Sequence, residues 1–217
     1  MALQLQLLAD EANQLGWATA EASLDEVRSQ AAEVGWTEVP IRSGEPAVAT
    51  LRPKSAAEAP LNSLSAKYGR GAQPLHTDGA HLKMPPHIVV LYAPTSNATP
   101  TLLWSPHESP SGPVPPSAHD GVFVVDGGRD RFYATAFTTE SGLRYDPGCM
   151  TPADARSREA AAYFRQVVEV AHQHSWSMDG MLLLIDNRQA LHARAAVAQG
   201  DGNRQIQRVA YRIGNQR

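Results

Sequence analysis

The chain is divided into short strand-like runs, and that division limits it to few architectures. These runs fall at 87–93, 101–104, 121–126, 131–137, 181–186 and 206–213, each short and rich in β-branched, aromatic or other apolar residues. Asp126-Gly127-Gly128 is a hairpin signal. Residues 105–118, rich in Pro and Ser, read as loop. Two segments instead carry helical periodicity. In 19–35, Leu24, Val27, Ala31 and Val34 form a stripe behind candidate caps Thr19 and Ser23. In about 152–174, Thr151 caps, Pro152 fills the first turn, and Ala161, Phe164, Val168 and Ala171 share a face. Residues 1–18 read as a strand or irregular lead-in, because Leu3, Leu5 and Leu7 alternate with Gln4 and Gln6. Residues 55–65 read as part helix, part loop. Many short strands with one long helix near the end point to a mainly β fold with flanking helices, a double-sheet jelly roll. At 217 residues the chain is one domain by size: a helical or irregular cap over 1–60 and a jelly-roll core over 61–217.

His76 and Asp78, in Gln-Pro-Leu-His-Thr-Asp-Gly (73–79), stand two residues apart. On an extended segment both side chains leave the same face. One imidazole and one carboxylate aimed at one point are two parts of the 2-His-1-carboxylate set that holds non-heme Fe(II). The third ligand must return on another strand, and His192, closing Leu-Leu-Leu-Ile-Asp-Asn-Arg-Gln-Ala-Leu-His, answers that description. Further on, 204–213 reads as a strand with Arg208, Ala210 and Arg212 on one face and Val209, Tyr211 and Ile213 on the other. A helix over the apolar face would turn two guanidinium groups into the barrel, where a buried cation needs an anion. A dicarboxylate fits the planar guanidinium fork through two parallel hydrogen bonds.

At this point the chain resembles the Fe(II)/2-oxoglutarate-dependent oxygenases, in the branch of taurine dioxygenase and clavaminate synthase. The matching segments are Tyr-Gly-Arg-Gly-Ala-Gln-Pro-Leu-His-Thr-Asp-Gly-Ala-His (68–81), Pro-Thr-Leu-Leu-Trp (100–104), Leu-Arg-Tyr-Asp-Pro (143–147), Asp-Asn-Arg-Gln-Ala-Leu-His (186–192) and Arg-Val-Ala-Tyr-Arg (208–212). The resemblance implies a double-stranded β-helix in which His76, Asp78 and His192 bind Fe(2+). It implies that Arg208, with Thr101, holds the distal carboxylate of 2-oxoglutarate, and that Arg212 meets an anionic group of the substrate. The loop from His192 to Arg208 is longer than in the taurine enzyme, which leaves Arg204, Arg208 and Arg212 open for these roles. Arg144 and Asp146 stand at the pocket mouth by the same resemblance, or else form a surface ion pair. Asp146 is also the protein partner that Arg212 would take in place of a substrate anion. His81 is either a substrate-pocket residue or a structural one, as is His87. The implied activity consumes O2 and 2-oxoglutarate, releases succinate and CO2, and hydroxylates or desaturates a small molecule. Members that halogenate lack the carboxylate that Asp78 supplies.

Composition narrows the rival readings. A net charge of −3 gives no basic footprint for nucleic acid, which argues against nucleobase demethylation by the same chemistry. Cys149 is the single cysteine, so no intramolecular disulfide forms and a reducing cytoplasm is the expected setting. The N-terminus lacks the basic and apolar regions of a signal peptide, and the apolar run Met181–Ile185 is too short to span a bilayer. A small molecule is therefore the expected partner. Two other classes share parts of the pattern. A zinc hydrolase would use the three ligands and an activated water but has no need of an inward Arg208. A cupin-like binding protein would keep the fold without turnover.

Overall fold

The structure, a computed structural model, describes residues 3–60, 63–108, 112–138 and 142–214. In chain order these form α1 (Leu5–Leu15), β1 (Trp17–Glu21), α2 (Leu24–Glu33), β2 (Trp36–Glu38), β3 (Val48–Leu51), α3 (Leu64–Tyr68), β4 (Ile88–Ala93) and β5 (Asn97–Trp104). There follow α4 (Pro116–Asp120), β6 (Phe123–Asp126), β7 (Arg131–Ala134), β8 (Phe137–Thr138), β9 (Gly142–Leu143), β10 (Met150–Pro152) and α5 (Ala155–Gln166). The last strands are β11 (His172–Trp176), β12 (Met181–Asp186), β13 (Leu191–Arg194) and β14 (Ile206–Ile213).

Period-two alternation in β14 decides how the layers stack. Val209 and Tyr211 point to one side, into a cluster with Leu5, Leu8 and Ala12 of α1 and Val27 and Ala31 of α2. Ile206 and Ala210 point to the other, against Leu91, Leu183, Ile185, Leu103 and Trp176. Both faces are apolar because helices cover one and a second sheet covers the other. The large sheet runs β1-β12-β4-β14-β2, with β3 also paired to β14; the smaller one is β11-β5-β13. Together they make the double-stranded β-helix. A third cluster seats α5, through Ala160, Ala161 and Phe164, against Trp104, Phe123 and Tyr145. Among the described residues no helix is long and apolar enough to cross a membrane.

Three expectations change. Residues 5–15 are a helix, because Leu5, Leu8, Ala9 and Ala12 recur at helical spacing and are the buried set. The Leu/Gln alternation is a local coincidence, and Leu7 is left 62% exposed. The first 60 residues are more than a cap, since β1, β2 and β3 are strands of the large sheet. The late helix starts at Ala155 with Asp154 as its cap, and Thr151 and Pro152 lie in β10. It ends at Gln166; a single 3-10 segment follows, and His172–Trp176 pairs with β5. Sheet pairing overrides the helical pattern there.

Candidate metal centre

A two-residue bridge builds the centre. The His76 amide donates to the His192 carbonyl and the His192 amide to the His76 carbonyl, each at 3.0 Å. The imidazole centroids lie 4.6 Å apart. His192 is fixed from its other side by β5, where it stands opposite Leu103. The 75–78 segment is anchored through Thr77, whose amide donates to the Tyr145 carbonyl at 2.7 Å. The Thr77 hydroxyl accepts from the Tyr145 amide at 3.1 Å and donates to the Leu143 carbonyl at 3.3 Å. Asp78 is held by Asn187, just past β12. Asn187 Oδ1 accepts from the Asp78 amide and Nδ2 donates to the Asp78 carbonyl, both at 3.0 Å, while Nδ2 also donates to Pro86. Gly79 then turns the chain with φ +71°, and a Cβ there would sit 2.9 Å from the Pro86 ring.

The side chains converge as the spacing predicts. His76 Nε2 lies 3.8 Å from Asp78 Oδ1, and His192 Nε2 lies 3.8 Å from Asp78 Oδ2. The three donor atoms fall within 4.8 Å of one another, and all three residues are buried. His76 Nδ1 faces the Pro74 carbonyl at 3.0 Å, which fixes the tautomer that presents Nε2 as a ligand. Burial alone would raise the Asp78 carboxyl, but the Arg208 guanidinium and the two imidazoles outweigh it and bring it down to about 2. Burial, reinforced by His76, pushes His192 down to about 3. An ionised carboxylate beside a neutral imidazole is the protonation state a divalent metal requires. The residues present fit such an ion.

The centre lies in a cavity of about 800 Å3 that also reaches Thr101, Arg194, Arg204 and Arg208. Arg208 does not stand free. Its Nη1 lies 3.2 Å from both Asp78 oxygens and its Nη2 3.6 Å from Glu45. Arg204 lines the same cavity, and burial, with Arg194 nearby, pushes its guanidinium down to about 10. Its Nε has no hydrogen-bond partner, and among the described residues no carboxylate makes an ion pair with it. Arg194 gives its guanidinium to the carbonyls of Gly69, Arg70 and Gly71. Thr101 is 4% exposed and stands opposite Arg194.

Three of the other residues read from the sequence lie elsewhere. Arg212 is outside the cavity lining and donates to the Met84 carbonyl at 2.9 Å, so neither Asp146 nor a cavity anion is its contact. Arg144 is neither at the mouth nor paired with Asp146. It is 3% exposed and spans the carbonyls of Ala80, Leu82 and Lys83 at 2.6–2.8 Å, clamping the turn after Asp78. His81 does line the cavity, near Arg42 and Asp146. His87 does not, and its Nδ1 accepts from the Ile213 amide. Sequence reasoning gave no role to Asn187, Glu45 or Arg42. A buried Asn five residues before His192 was the available signal for the first; the loop residues carried none.

Residues 103–210, about half of the chain, match the family model described as "Taurine catabolism dioxygenase TauD, TfdA family". That span contains His192, Arg204 and Arg208, and the fold brings His76 and Asp78 to it. No curated protein matches the chain in sequence. Solved structures do match in fold. An asparagine oxygenase, in complex with Fe(II), 2S,3S-3-hydroxyasparagine and succinate, superposes with a TM-score of 0.72 at 14% identity, covering 95% of this chain and 77% of its own. PvcB from Pseudomonas aeruginosa does so with 0.68 at 20%, covering 96% and 80%. The non-heme iron oxygenase OrfP, in complex with Fe and alpha-ketoglutaric acid, does so with 0.65 at 14%, covering 97% and 80%. With the family's sequence pattern running through β13 and β14 and this fold carrying a buried two-histidine, one-carboxylate set, the chain belongs to the TauD/TfdA family of oxygenases.

Proposed function

We propose that the protein is an Fe(II)- and 2-oxoglutarate-dependent dioxygenase that hydroxylates or desaturates a small molecule, releasing succinate and CO2. The observation that carries this reading is the pairing of a buried His76–Asp78–His192 donor set with Arg204, a cavity guanidinium that makes no ion pair with a carboxylate among the described residues. A zinc hydrolase needs the first and not the second; a dicarboxylate cosubstrate calls for both. In this assignment Arg204, not Arg208, holds the distal carboxylate together with Thr101, because Arg208 is already occupied by Asp78 and Glu45. Arg208 orients the Asp78 carboxylate from outside the ligand set. Iron held there would supply O2-dependent oxidation, with 2-oxoglutarate as co-reductant.

The substrate's share of the cavity is the side lined by His81, Arg42 and Asp146. A cation and an anion facing one space suit a zwitterion, so a small amino acid or close analogue is the substrate class we favour. The asparagine oxygenase bound to hydroxyasparagine and OrfP bound to (3S)-hydroxy-L-Arg support that choice by likeness. The test is succinate release by Fe(II)-loaded protein given 2-oxoglutarate and O2, alone and with a panel of amino acids, sulfonates and carboxylates. Stimulation by an amino acid is expected. Iron binding without any succinate, on every substrate and on none, would overturn the reading.

A further inference from the structure

Thr101 is set to give a proton to the cavity, and another residue sets it. Strands β11 and β5 pair with His174 opposite Thr101, but the register slips before Trp176, which stands opposite Asn97. From there the indole, 0% exposed, donates its Nε1–H to Thr101 Oγ1 at 3.1 Å. An indole N–H can only donate, whereas a hydroxyl has one proton and two lone pairs. With one lone pair taken by Trp176, Thr101 is an acceptor inside the core, and its own proton must go elsewhere. Among the described residues nothing accepts it, and Thr101 lines the cavity that holds Arg204. A buried donor left without a partner is costly, so the site calls for an acceptor-only oxygen from a ligand.

We propose that Trp176 is a positioning residue for the cosubstrate: its indole fixes Thr101 as a donor toward the distal carboxylate of 2-oxoglutarate. This rests on the dioxygenase reading above. The role is one of selection as well as affinity. A carboxylate accepts from both Thr101 and Arg204, while a neutral amide at the same place would bring an NH2 group against two donors.

The test compares Fe(II)-loaded, oxygen-free protein with its Trp176→Phe variant by calorimetry, using 2-oxoglutarate and pyruvate as ligands. Pyruvate keeps the α-keto acid group and lacks the distal carboxylate. Trp176→Phe is expected to weaken 2-oxoglutarate roughly three- to tenfold, the range of one modest hydrogen bond, and to leave pyruvate and Fe(II) affinities within twofold. Thr101→Val should weaken 2-oxoglutarate as well, and adding Trp176→Phe to it should do nothing further; Thr101→Ser should restore affinity. Should Trp176→Phe fold poorly, benzothienylalanine at position 176 keeps the ring shape, replaces N–H by sulfur, and decides the matter alone. Unchanged 2-oxoglutarate affinity, equal losses for pyruvate and 2-oxoglutarate, or additive effects of the two substitutions each overturn the positioning role. A parent protein that binds Fe(II) but no 2-oxoglutarate overturns the dioxygenase reading itself, and this role with it.

Discussion

At the scale of single residues, the centre depends on backbone placement more than on the ligands' own contacts. Asn187 meets both the amide and the carbonyl of Asp78, so it decides where that carboxylate starts from. Asn187→Ala would leave three buried backbone groups unpaired and let the 78–79 turn shift. Outer partners of metal ligands are typically worth about 10–100-fold in affinity. Fe(II) affinity should therefore fall by at least tenfold, read by competition with a chelator. Retained affinity would assign the clamp to fold stability alone. The two arginines separate by a second comparison. Arg204→Ala should weaken 2-oxoglutarate by more than tenfold while Fe(II) still binds, since a buried charge-assisted pair is worth about 2–5 kcal/mol. Arg208→Ala should lower Fe(II) affinity too, because it strips Asp78 of the guanidinium at 3.2 Å. If Arg208→Ala alone loses 2-oxoglutarate and keeps Fe(II), the assignment of Arg204 fails.

At the scale of elements, the legible parts were those whose pattern is local. Strand β14 could be read to the residue, because Val209 and Tyr211 against Ala210 is a two-sided alternation that only a covered sheet produces. The segment 181–186 was equally plain as a buried run. His76 and Asp78 were legible because two-residue spacing survives even where the extended segment is a single bridge. What could not be read depended on distant pairing. The 3.6-residue pattern runs through Val168 and Ala171, yet β5 captures His172–Trp176 as a neighbour, so the helix stops early. Arg204 stayed one of three candidate arginines for a similar reason: it precedes β14, so no strand face assigns it a direction. The same helix offers a direct check. Asp154 accepts from the Ser157 amide at 2.6 Å and from the Val122 amide at 3.2 Å, capping α5 and fixing the entry to β6. Asp154→Ala should cost about 1–2 kcal/mol, seen as a lower denaturant midpoint with an unchanged slope. A loss under about 0.3 kcal/mol would mean that α5 is held by its packing on Trp104 and Tyr145 alone.

At the scale of the whole molecule, the space between the two sheets holds ionisable groups that the fold keeps in one charge state, and this ties stability to pH. His174 is 5% exposed and packs edge-on against Trp176 at 4.4 Å. Burial, with His172 nearby, pushes its imidazole down to about 4 from an ordinary value of 6.5. The folded protein therefore holds His174 neutral while the unfolded chain protonates it below 6.5. Its contribution to stability is complete above pH 6.5 and is lost as the pH falls toward 4, by at most about 1.4 kcal/mol per pH unit. His192, brought to about 3, behaves the same way in metal-free protein. Asp78 adds a lower window: its contribution is present above 3.8 and lost as the pH falls toward 2. Metal-free protein should thus lose stability between pH 6.5 and 4, His174 and His192 each adding up to one proton to the slope and His81 and His87, also lowered by burial, adding in the same direction. A metal that binds only the folded state should raise the melting temperature at neutral pH. His174→Phe keeps a ring against Trp176 and removes the titrating group, so it should lower the slope by about one proton between pH 6.5 and 4. Chemical denaturation at half-unit steps from pH 4 to 8, on parent and variant, measures both slopes. An unchanged slope would mean that His174 finds a way to carry its proton inside the fold, and the acid sensitivity would then belong to the other buried imidazoles.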